Sequence, residues 1–506
     1  MKILKRILIV LLIAAVLILV GFFILKHLVT PEKSAKSGTL KELTGEEKLE
    51  DFEYLYGTLK DSFPFFEIEK DKTGFDWLEN KNKFEEQIKS TKNNAEFYNA
   101  LKKIVTMVQN GHTGVVPPSN YENMVQGYSS LINLPWGQVL NQSGVKEKYK
   151  NWSKIVNESI EVLPVKLKYI EGRYVITEDY KNINKGYVIE AIEDKPVDIY
   201  FKDNLDKYYL NYDYKRDKLY VKSGLIIAES GRDYKITAAS QDGEKITEYI
   251  TPVKYEQNNS DTDTISSSEE KILKENKIAY LKVKSMSSRT LESDGKKIIE
   301  FFNKIKDYPY LIIDIRGNGG GTDDYWQSNI VEPLISEPKS ESIAMAYKGN
   351  YIKPFLTGRG IITKPIDKIP EQFKSNYVSD MEQFIAGTKI VKPRNSVNFK
   401  GKVYLLTDDR VYSSSESFAA FCKASGFAEL VGTTTGGDGI GIDPCVMALP
   451  SSGLVIRFSL DMGINSDGTV NEKTHTKPDI YAEPAYEDFL KGRDTILNKV
   501  LELCNK

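Results

Sequence analysis

Residues 402–439 read KVYLLTDDRVYSSSESFAAFCKASGFAELVGTTTGGDG. The pattern predicts a buried strand at Val403 to Leu406, three serines at 413–415, a helix ending at Gly426, and a second apolar strand. The serines lie where a strand gives way to a helix N-terminus, so unpaired backbone N–H groups face any approaching group. That geometry suits a nucleophile with an oxyanion hole. On this segment alone, a cluster of N-cap serines is the stronger alternative.

The neighbouring sequence alternates strands and helices, as an α/β core with a central sheet does. A strand is predicted at Ile278 to Val283, a helix at Leu291 to Ile305, and a buried strand at Tyr310 to Ile315. A helix from about Tyr486 to Cys504 is predicted to close the chain. RGNGGGTDD follows at 316–324, and its glycines allow backbone N–H groups to converge on a negative oxygen. We therefore predict a core over residues 271–506, with an insertion at 327–400. This turn and the second glycine-rich turn, at 433–439, are expected to lie beside the serines.

The N-terminal segment predicts a membrane anchor. Ile7 to Leu25 is an apolar run of 19 residues behind Lys2, Lys5 and Arg6, long enough to cross a bilayer. No small-residue cleavage site follows, which favours an uncleaved signal anchor over residues 1–29 and a polar tether over 30–43. The prediction is a single-pass protein of the cell membrane with its folded part outside the cytoplasm.

A small helical domain is predicted over residues 44–135. Thr44 and Glu47 form a capping box, and a helix runs from Asn94 to about Gln109. Gly111 ends it, and His112 follows in NGHTGV. A histidine just past a helix end can face a cleft, although a lone histidine is more often a satisfied structural residue.

Short strands separated by glycine turns fill residues 160–255. GYVIEAIEDKPVD at 186–198, followed by a possible short helix, resembles a PDZ domain, which binds an extended peptide or a C-terminal carboxylate along a sheet edge. Many small β domains share this pattern. The polar segment 257–270 is predicted to be a solvated loop or linker.

Composition narrows the functional classes. Lys plus Arg (69) nearly equals Asp plus Glu (71), so the charge gives no case for nucleic acid. Three cysteines make no disulfide framework, and no Cys/His spacing indicates a metal. We predict neither a metal nor another cofactor. The three histidines are His27, His112 and His475.

Two motifs carry a family resemblance. LIIDIRGNGGG at 311–321, and a strand followed by SSSE, FAA and GFAELVGTTTGG about a hundred residues later, resemble the C-terminal processing (tail-specific) serine peptidases. The helical region ending in NGHTG, and KPDI at 477–480, fit the tricorn-protease-like and retinoid-binding-protein-like branch. The resemblance implies an α+β multidomain protein with a crotonase-like core.

The resemblance also implies site residues. Ser413 becomes the nucleophile, His112 the general base, and Glu472 a distal carboxylate acting directly or through another group. Oxyanion donors would be the N–H groups of Gly319 or Gly320 and of Ser414. His475 is the rival base.

Two positions depart from the family patterns. Asp438 stands where the Ser–Lys branch places its lysine, and a carboxylate cannot act as that lysine's neutral amine. A Ser–Lys mechanism is therefore disfavoured. The tricorn pattern has a serine immediately before its histidine, and here that position is Gly111. A fourth catalytic role is left unassigned.

The leading hypothesis is a membrane-anchored serine endopeptidase acting on extracytoplasmic proteins or peptides, including unfolded segments or C-terminal tails. The alternative is a non-catalytic ligand- or peptide-binding protein on the same fold. A nucleotide-binding protein using RGNGGG is disfavoured, because no Lys-Ser/Thr follows the glycines.

Overall fold

The computed structural model describes residues 35–129, 134–255 and 266–505. The predicted anchor and residues 30–34 of the predicted tether lie outside these residues. Among the described helices, none is both long enough and apolar enough to cross a membrane.

The N-terminal region is helical, as predicted, but it extends past residue 135. The Thr44–Glu47 capping box is present at the start of the first helix. The helix predicted to reach Gln109 ends at Thr106, because Gln109 adopts a left-handed φ of 64°. The elements are α1 (Gly45–Ser62), α2 (Phe66–Thr73), α3 (Lys81–Lys89), α4 (Asn94–Thr106), β1 (Gly114–Val115), α5 (Tyr121–Gly127), α6 (Leu134–Leu140) and α7 (Ser143–Ile155).

The described part of the predicted tether is packed against the folded body. The Lys36 backbone N–H donates to the carbonyl of Pro450 (2.9 Å), and the Leu43 N–H donates to Asn94 Oδ1 (3.0 Å). Ala35 and Leu43 are buried. Residues 35–43 of the predicted tether are therefore held against the folded body at Ala35, Lys36 and Leu43.

Residues 161–254 form the expected β-rich region with its own hydrophobic cluster. The elements are β2 (Glu161–Val162), β3 (Leu167–Ile170), β4 (Arg173–Ile176), β5 (Val188–Ile192), β6 (Lys195–Pro196), α8 (Val197–Lys202), β7 (Leu210–Asp213), β8 (Lys218–Val221), β9 (Ile227–Ala228), β10 (Tyr234–Ala239), β11 (Lys245–Ile250) and β12 (Val253–Lys254). The main sheet has the order β11-β10-β5-β4-β3, with β6 paired to β5, and the predicted short helix, α8, follows β6. The PDZ assignment stays a prediction.

The remaining described residues form the predicted α/β core. The elements are β13 (Ser268–Lys274), β14 (Ile278–Val283), α9 (Leu291–Ile305), β15 (Tyr310–Asp314), α10 (Asp323–Trp326), α11 (Glu332–Leu334), β16 (Lys339–Tyr347), α12 (Lys353–Gly358), β17 (Lys364–Pro365), β18 (Gln383–Val391), β19 (Lys402–Thr407), α13 (Ser414–Ser425), β20 (Glu429–Gly432), β21 (Cys445–Ala448), β22 (Val455–Phe458), β23 (Asp461–Ile464), α14 (Asn471–Thr474), β24 (Ile480–Tyr481), α15 (Tyr486–Leu490) and α16 (Thr495–Leu503).

A six-stranded sheet with the order β13-β14-β15-β19-β20-β24 lies at the centre of this core. All neighbours are parallel except β13, which pairs antiparallel with β14 at the edge. Apolar residues cover both faces, which explains the unbroken apolar strands in the sequence. Parallel strands bring the turns after β15, β19 and β20 to one edge.

One prediction about the core needs correction. The helix expected from Tyr486 to Cys504 is two helices, because the chain turns at Gly492 with φ 66°. The predicted insertion at 327–400 is built into the core: β16 pairs with β18 and with β23 in a four-stranded sheet. It also shares one hydrophobic cluster with the helical region and with residues 445–470.

Candidate active site

Ser413 lies between β19 and α13, at the C-terminal edge of the parallel sheet. Its φ and ψ are 58° and −126°, an unfavourable conformation for a residue with a side chain. The turn is held on both sides: the Ser413 N–H donates to the Gly437 carbonyl (3.3 Å), and the Ser417 N–H donates to the Ser413 carbonyl (2.9 Å). The half-buried Ser413 hydroxyl makes no hydrogen bond with any described residue.

The glycine turn after β15 packs directly on Ser413. Gly320 has φ 106°, and a Cβ there would lie 2.9 Å from Ser413 Cβ and 3.0 Å from the Ser414 nitrogen. Only glycine fits this approach. The Gly320 N–H donates to Asn318 Oδ1 (2.9 Å) and is therefore occupied. The N–H groups of Gly319 and Ser414 make no hydrogen bond to a described residue, so these two remain available to an oxyanion.

His112 reaches the same turn from the helical region. Its Nδ1 lies 2.7 Å from Asp438 Oδ2, and its ring centroid lies 4.8 Å from that of Tyr412, the residue before Ser413. Its backbone N–H donates to Asn110 Oδ1 (3.1 Å). Because the carboxylate engages Nδ1, the Nε2 nitrogen carries the free lone pair. Neither ring nitrogen of His112 is hydrogen-bonded to Ser413 in the described structure.

Asp438 is the carboxylate that the sequence interpretation missed. It has a left-handed φ of 48°, and four side chains contact its Oδ2. They are His112 Nδ1 (2.7 Å), Ser459 Oγ (3.0 Å), Asn110 Nδ2 (3.1 Å) and Tyr412 Oη (3.1 Å). Burial raises the pKa of this carboxyl, but the charge of His112 and the hydrogen bonds lower it more, to about 2. Asp438 is therefore an anion that fixes the imidazole.

Glu472 lies near this group without touching His112. It is buried on α14, and its Oε1 accepts a hydrogen bond from Asn110 Nδ2 at 3.3 Å. Burial, and then the charges of Asp438 and Glu69, raise the pKa of Glu472 well above its usual value. Its link to the imidazole runs through Asn110 and Asp438, which matches the indirect alternative and not direct contact.

His475, the rival base, is placed differently. Its Nδ1–H donates to the Thr435 carbonyl (2.8 Å), and a Cβ at Gly437 would lie 2.7 Å from its Nε2. Burial, together with the charge of Lys72, lowers the pKa of His475 to about 3. No carboxylate in the described part of the chain hydrogen-bonds to its ring. His475 supports the turn that carries Asp438.

The phenol of Tyr412 occupies the space beside Gly111. A Cβ at Gly111 would lie 2.8 Å from Tyr412 Oη, which donates to Asp438. Burial, and then the Asp438 charge, raise the pKa of Tyr412 well above its usual value, so the phenol stays protonated and remains a donor. A hydroxyl therefore stands beside the imidazole although the chain has no serine at position 111.

A cavity of about 550 Å³ opens between the β-rich region and the sheet edge. Its core wall includes Gly317, Thr433 to Thr435 and His475, and its other wall includes Arg216 and Tyr220. Among the residues that the structure describes, no group of three His, Cys, Asp or Glu side chains is arranged to hold a metal ion.

Part of the chain matches a known protein family, and the described structure is similar to solved structures. Residues 277–482 match the family model described as peptidase family S41. The structure is similar to that of mature CPAF complexed with lactacystin, with 12% identity, a TM-score of 0.59, and coverage of 91% of this chain and 99% of that chain. Mature CPAF gives 13% identity, a TM-score of 0.60, and coverage of 91% and 98%.

The photosystem II D1 C-terminal processing protease gives 14% identity, a TM-score of 0.40, and coverage of 87% and 94%. No curated protein sequence matches the chain. At these identities, the likeness to CPAF shows a shared fold.

Because residues 277–482 match this family of peptidases, the chain is a serine-type peptidase. More narrowly, residues 277–482 are a peptidase family S41 domain, so the resemblance to the C-terminal processing peptidases is confirmed.

Proposed function

We propose that the chain is a membrane-anchored endopeptidase that cleaves extracytoplasmic proteins or peptides with Ser413 as nucleophile and His112 as base. One observation carries this proposal. An imidazole fixed by an anionic carboxylate lies against Tyr412, the neighbour of a strained serine, and that serine packs on a glycine turn.

The chemistry follows from these contacts. A serine hydroxyl is a poor nucleophile at neutral pH and needs an adjacent base. His112 Nε2 takes the Ser413 proton and returns it to the leaving amine. Asp438 holds Nδ1–H and stabilises the imidazolium, the role first given to Glu472. The N–H groups of Gly319 and Ser414 bind the tetrahedral oxyanion, and one such donor contributes about 3 kcal/mol.

The anchor and the substrate class rest on sequence. The 19 apolar residues of Ile7 to Leu25 match the hydrocarbon thickness of a bilayer. The proposed location is the cell membrane, single-pass, with the described residues outside the cytoplasm. The proposed substrates are proteins or peptides, including unfolded segments or C-terminal tails, which the PDZ-like region at 160–255 would select.

Hydrolysis of casein by the full chain in detergent micelles tests the chemistry. Ser413→Ala is expected to abolish turnover. Ser415→Ala is the matched control, because the Ser415 hydroxyl is buried and makes no hydrogen bond to any residue that the structure describes. Equal turnover by the wild type and Ser413→Ala would remove Ser413 from its role.

A further inference from the structure

Helix α7 carries a row of lysines on its exposed face. Lys146, Lys150 and Lys154 follow one another at intervals of four residues, so their side chains lie above one another. All three are exposed, and none makes an ion pair within the described residues. Glu147 is the one carboxylate on this helix. We call these three residues the lysine face.

The opposite face of α7 is fixed to the core. Lys148 Nζ donates to the Ser451 carbonyl (2.7 Å), and Trp152 Nε1 donates to the Ser452 carbonyl (3.0 Å). Val145, Tyr149 and Trp152 are buried. The lysine face therefore has one orientation relative to the folded body.

The chain that leaves the proposed anchor arrives at the same place. The Ala35 N–H donates to Gln142 Oε1 (2.9 Å), just before α7 begins. A Cβ at Gly144 would lie 2.6 Å from the Lys36 carbonyl oxygen, so segment and helix are in direct contact. The Lys36 N–H also donates to Pro450, beside the turn that holds α7.

Chain length limits how far α7 can lie from the proposed anchor. Ten residue steps separate Leu25 from Ala35, so they lie at most about 36 Å apart even when the chain is extended. Lys154 lies twelve residues beyond Gln142, or about 18 Å along the helix. Unpaired like charges at this spacing repel one another, and a negatively charged surface relieves that repulsion.

We propose that the lysine face docks on anionic lipid headgroups and thereby orients the peptidase body on the membrane. This inference rests on the proposed anchor at residues 7–25. Anionic headgroups fit this face better than an acidic protein partner, because the segment that reaches the folded body at Ala35 comes from the proposed anchor at residues 7–25.

A fluorescence experiment on the full chain tests it. Cys422, Cys445 and Cys504 are all buried, so a cysteine introduced by Ser153→Cys on the exposed side of α7 accepts a probe selectively. The chain is reconstituted into nanodiscs of brominated phosphatidylcholine, with or without phosphatidylglycerol. Asn303→Cys, at an exposed position on α9, is the matched control, because the buried residues of α9 belong to a different hydrophobic cluster from those of α7.

We expect quenching at residue 153 that at least doubles with phosphatidylglycerol, and little quenching at residue 303. Lys146→Glu/Lys150→Glu/Lys154→Glu should return quenching to the level of pure phosphatidylcholine while casein turnover in detergent is unchanged. Equal quenching at both positions, or no dependence on lipid charge, would overturn the inference.

Alkaline carbonate extraction separates the two proposals. A chain that stays in the membrane while its probe remains unquenched contradicts the lysine face alone. A chain that is extracted contradicts the anchor, and the lysine face falls with it.

Discussion

Asp438 is the residue on which the proposed chemistry depends most directly. Its Oδ2 collects four contacts, and its backbone adopts a left-handed conformation that costs energy unless the surroundings impose it. Such an arrangement keeps one imidazole nitrogen occupied and leaves the other free to accept a proton.

Asp438→Asn is therefore expected to lower kcat/KM for a peptide substrate about a thousandfold or more, because the amide no longer stabilises the imidazolium. Glu472→Gln should lower it less than tenfold, since Glu472 reaches the imidazole only through Asn110. Steady-state kinetics of both variants decides which of the two carboxylates stabilises the imidazolium. The reverse order of effects would restore Glu472 as the catalytic carboxylate.

The raised pKa of Glu472 also predicts that the free energy of unfolding depends on pH. Its pKa is raised in the folded chain, so above the ordinary glutamate pKa of about 4.3 the unfolded state loses its proton first. The folded state then binds more protons, and the free energy of unfolding falls as pH rises through that window.

Glu472→Gln should remove this loss while keeping an acceptor for Asn110. We expect the variant to gain thermal stability relative to the wild type as pH rises from 5 to 8. Thermal unfolding at several pH values measures it, with Glu487→Gln, at an exposed glutamate, as the control. Parallel curves for Glu472→Gln and the wild type would contradict the raised pKa.

The segment that carries Ser413 and the glycine turns could be predicted because strand, turn and helix signals are local, whereas the choice of Ser413 as nucleophile came from the family resemblance. Asp438 was considered only as the replacement of a lysine. Its contact with His112 crosses 326 residues, and nothing within the GGDG loop reveals that a histidine from the helical region packs there.

At the scale of elements, the turn after β15 and the N-terminus of α13 form one unit. Gly320 permits contact between them, because any side chain there would meet Ser413 Cβ and the Ser414 nitrogen. Gly319 has open space and does not need a positive φ.

Gly320→Ala is accordingly expected to destabilise the chain by about 1–3 kcal/mol, from backbone strain plus the clash. Gly319→Ala should change the free energy of unfolding by less than about 0.5 kcal/mol. Chemical denaturation of both variants provides the comparison. Equal losses of stability in the two variants would contradict a contact between the turn after β15 and the N-terminus of α13.

Element boundaries were predictable where periodicity was strong. The strand at Ile278–Val283 and the helix at Leu291–Ile305 were placed correctly to the residue. The C-terminal helix was not, because an internal Gly492 is compatible with a continuous apolar stripe. The docking of residues 35–43 was missed for a different reason. Their partners, Asn94, Gln142 and Pro450, are distant in sequence.

At the scale of the whole molecule, the helical region shares its hydrophobic core with other parts of the chain. Its helices share one hydrophobic cluster with β21 to β23 and with the insertion. His112 is thereby held against the sheet edge by a common core and not by a flexible linker. Sequence patterning separates domains by composition and cannot show that two regions share a core.

Leu454→Ala, at a fully buried position between β21 and β22, tests this sharing. The loss of packing should cost about 2–5 kcal/mol. Hydrogen exchange should then report lower protection in α4 and α7 together with β22. Ile236→Ala, in the separate cluster of the β-rich region, is the control and should leave α4 and α7 protected. Unchanged protection in the helices of Leu454→Ala would show an independent helical domain.

The central claim is that His112, fixed by Asp438, activates Ser413. Its most direct test is the rate at which a fluorophosphonate modifies the chain, with the modified residue located by mass spectrometry. We predict modification at Ser413, slowed at least a hundredfold in His112→Ala and by less than tenfold in His475→Ala. Modification elsewhere, or an unchanged rate in His112→Ala, would contradict it.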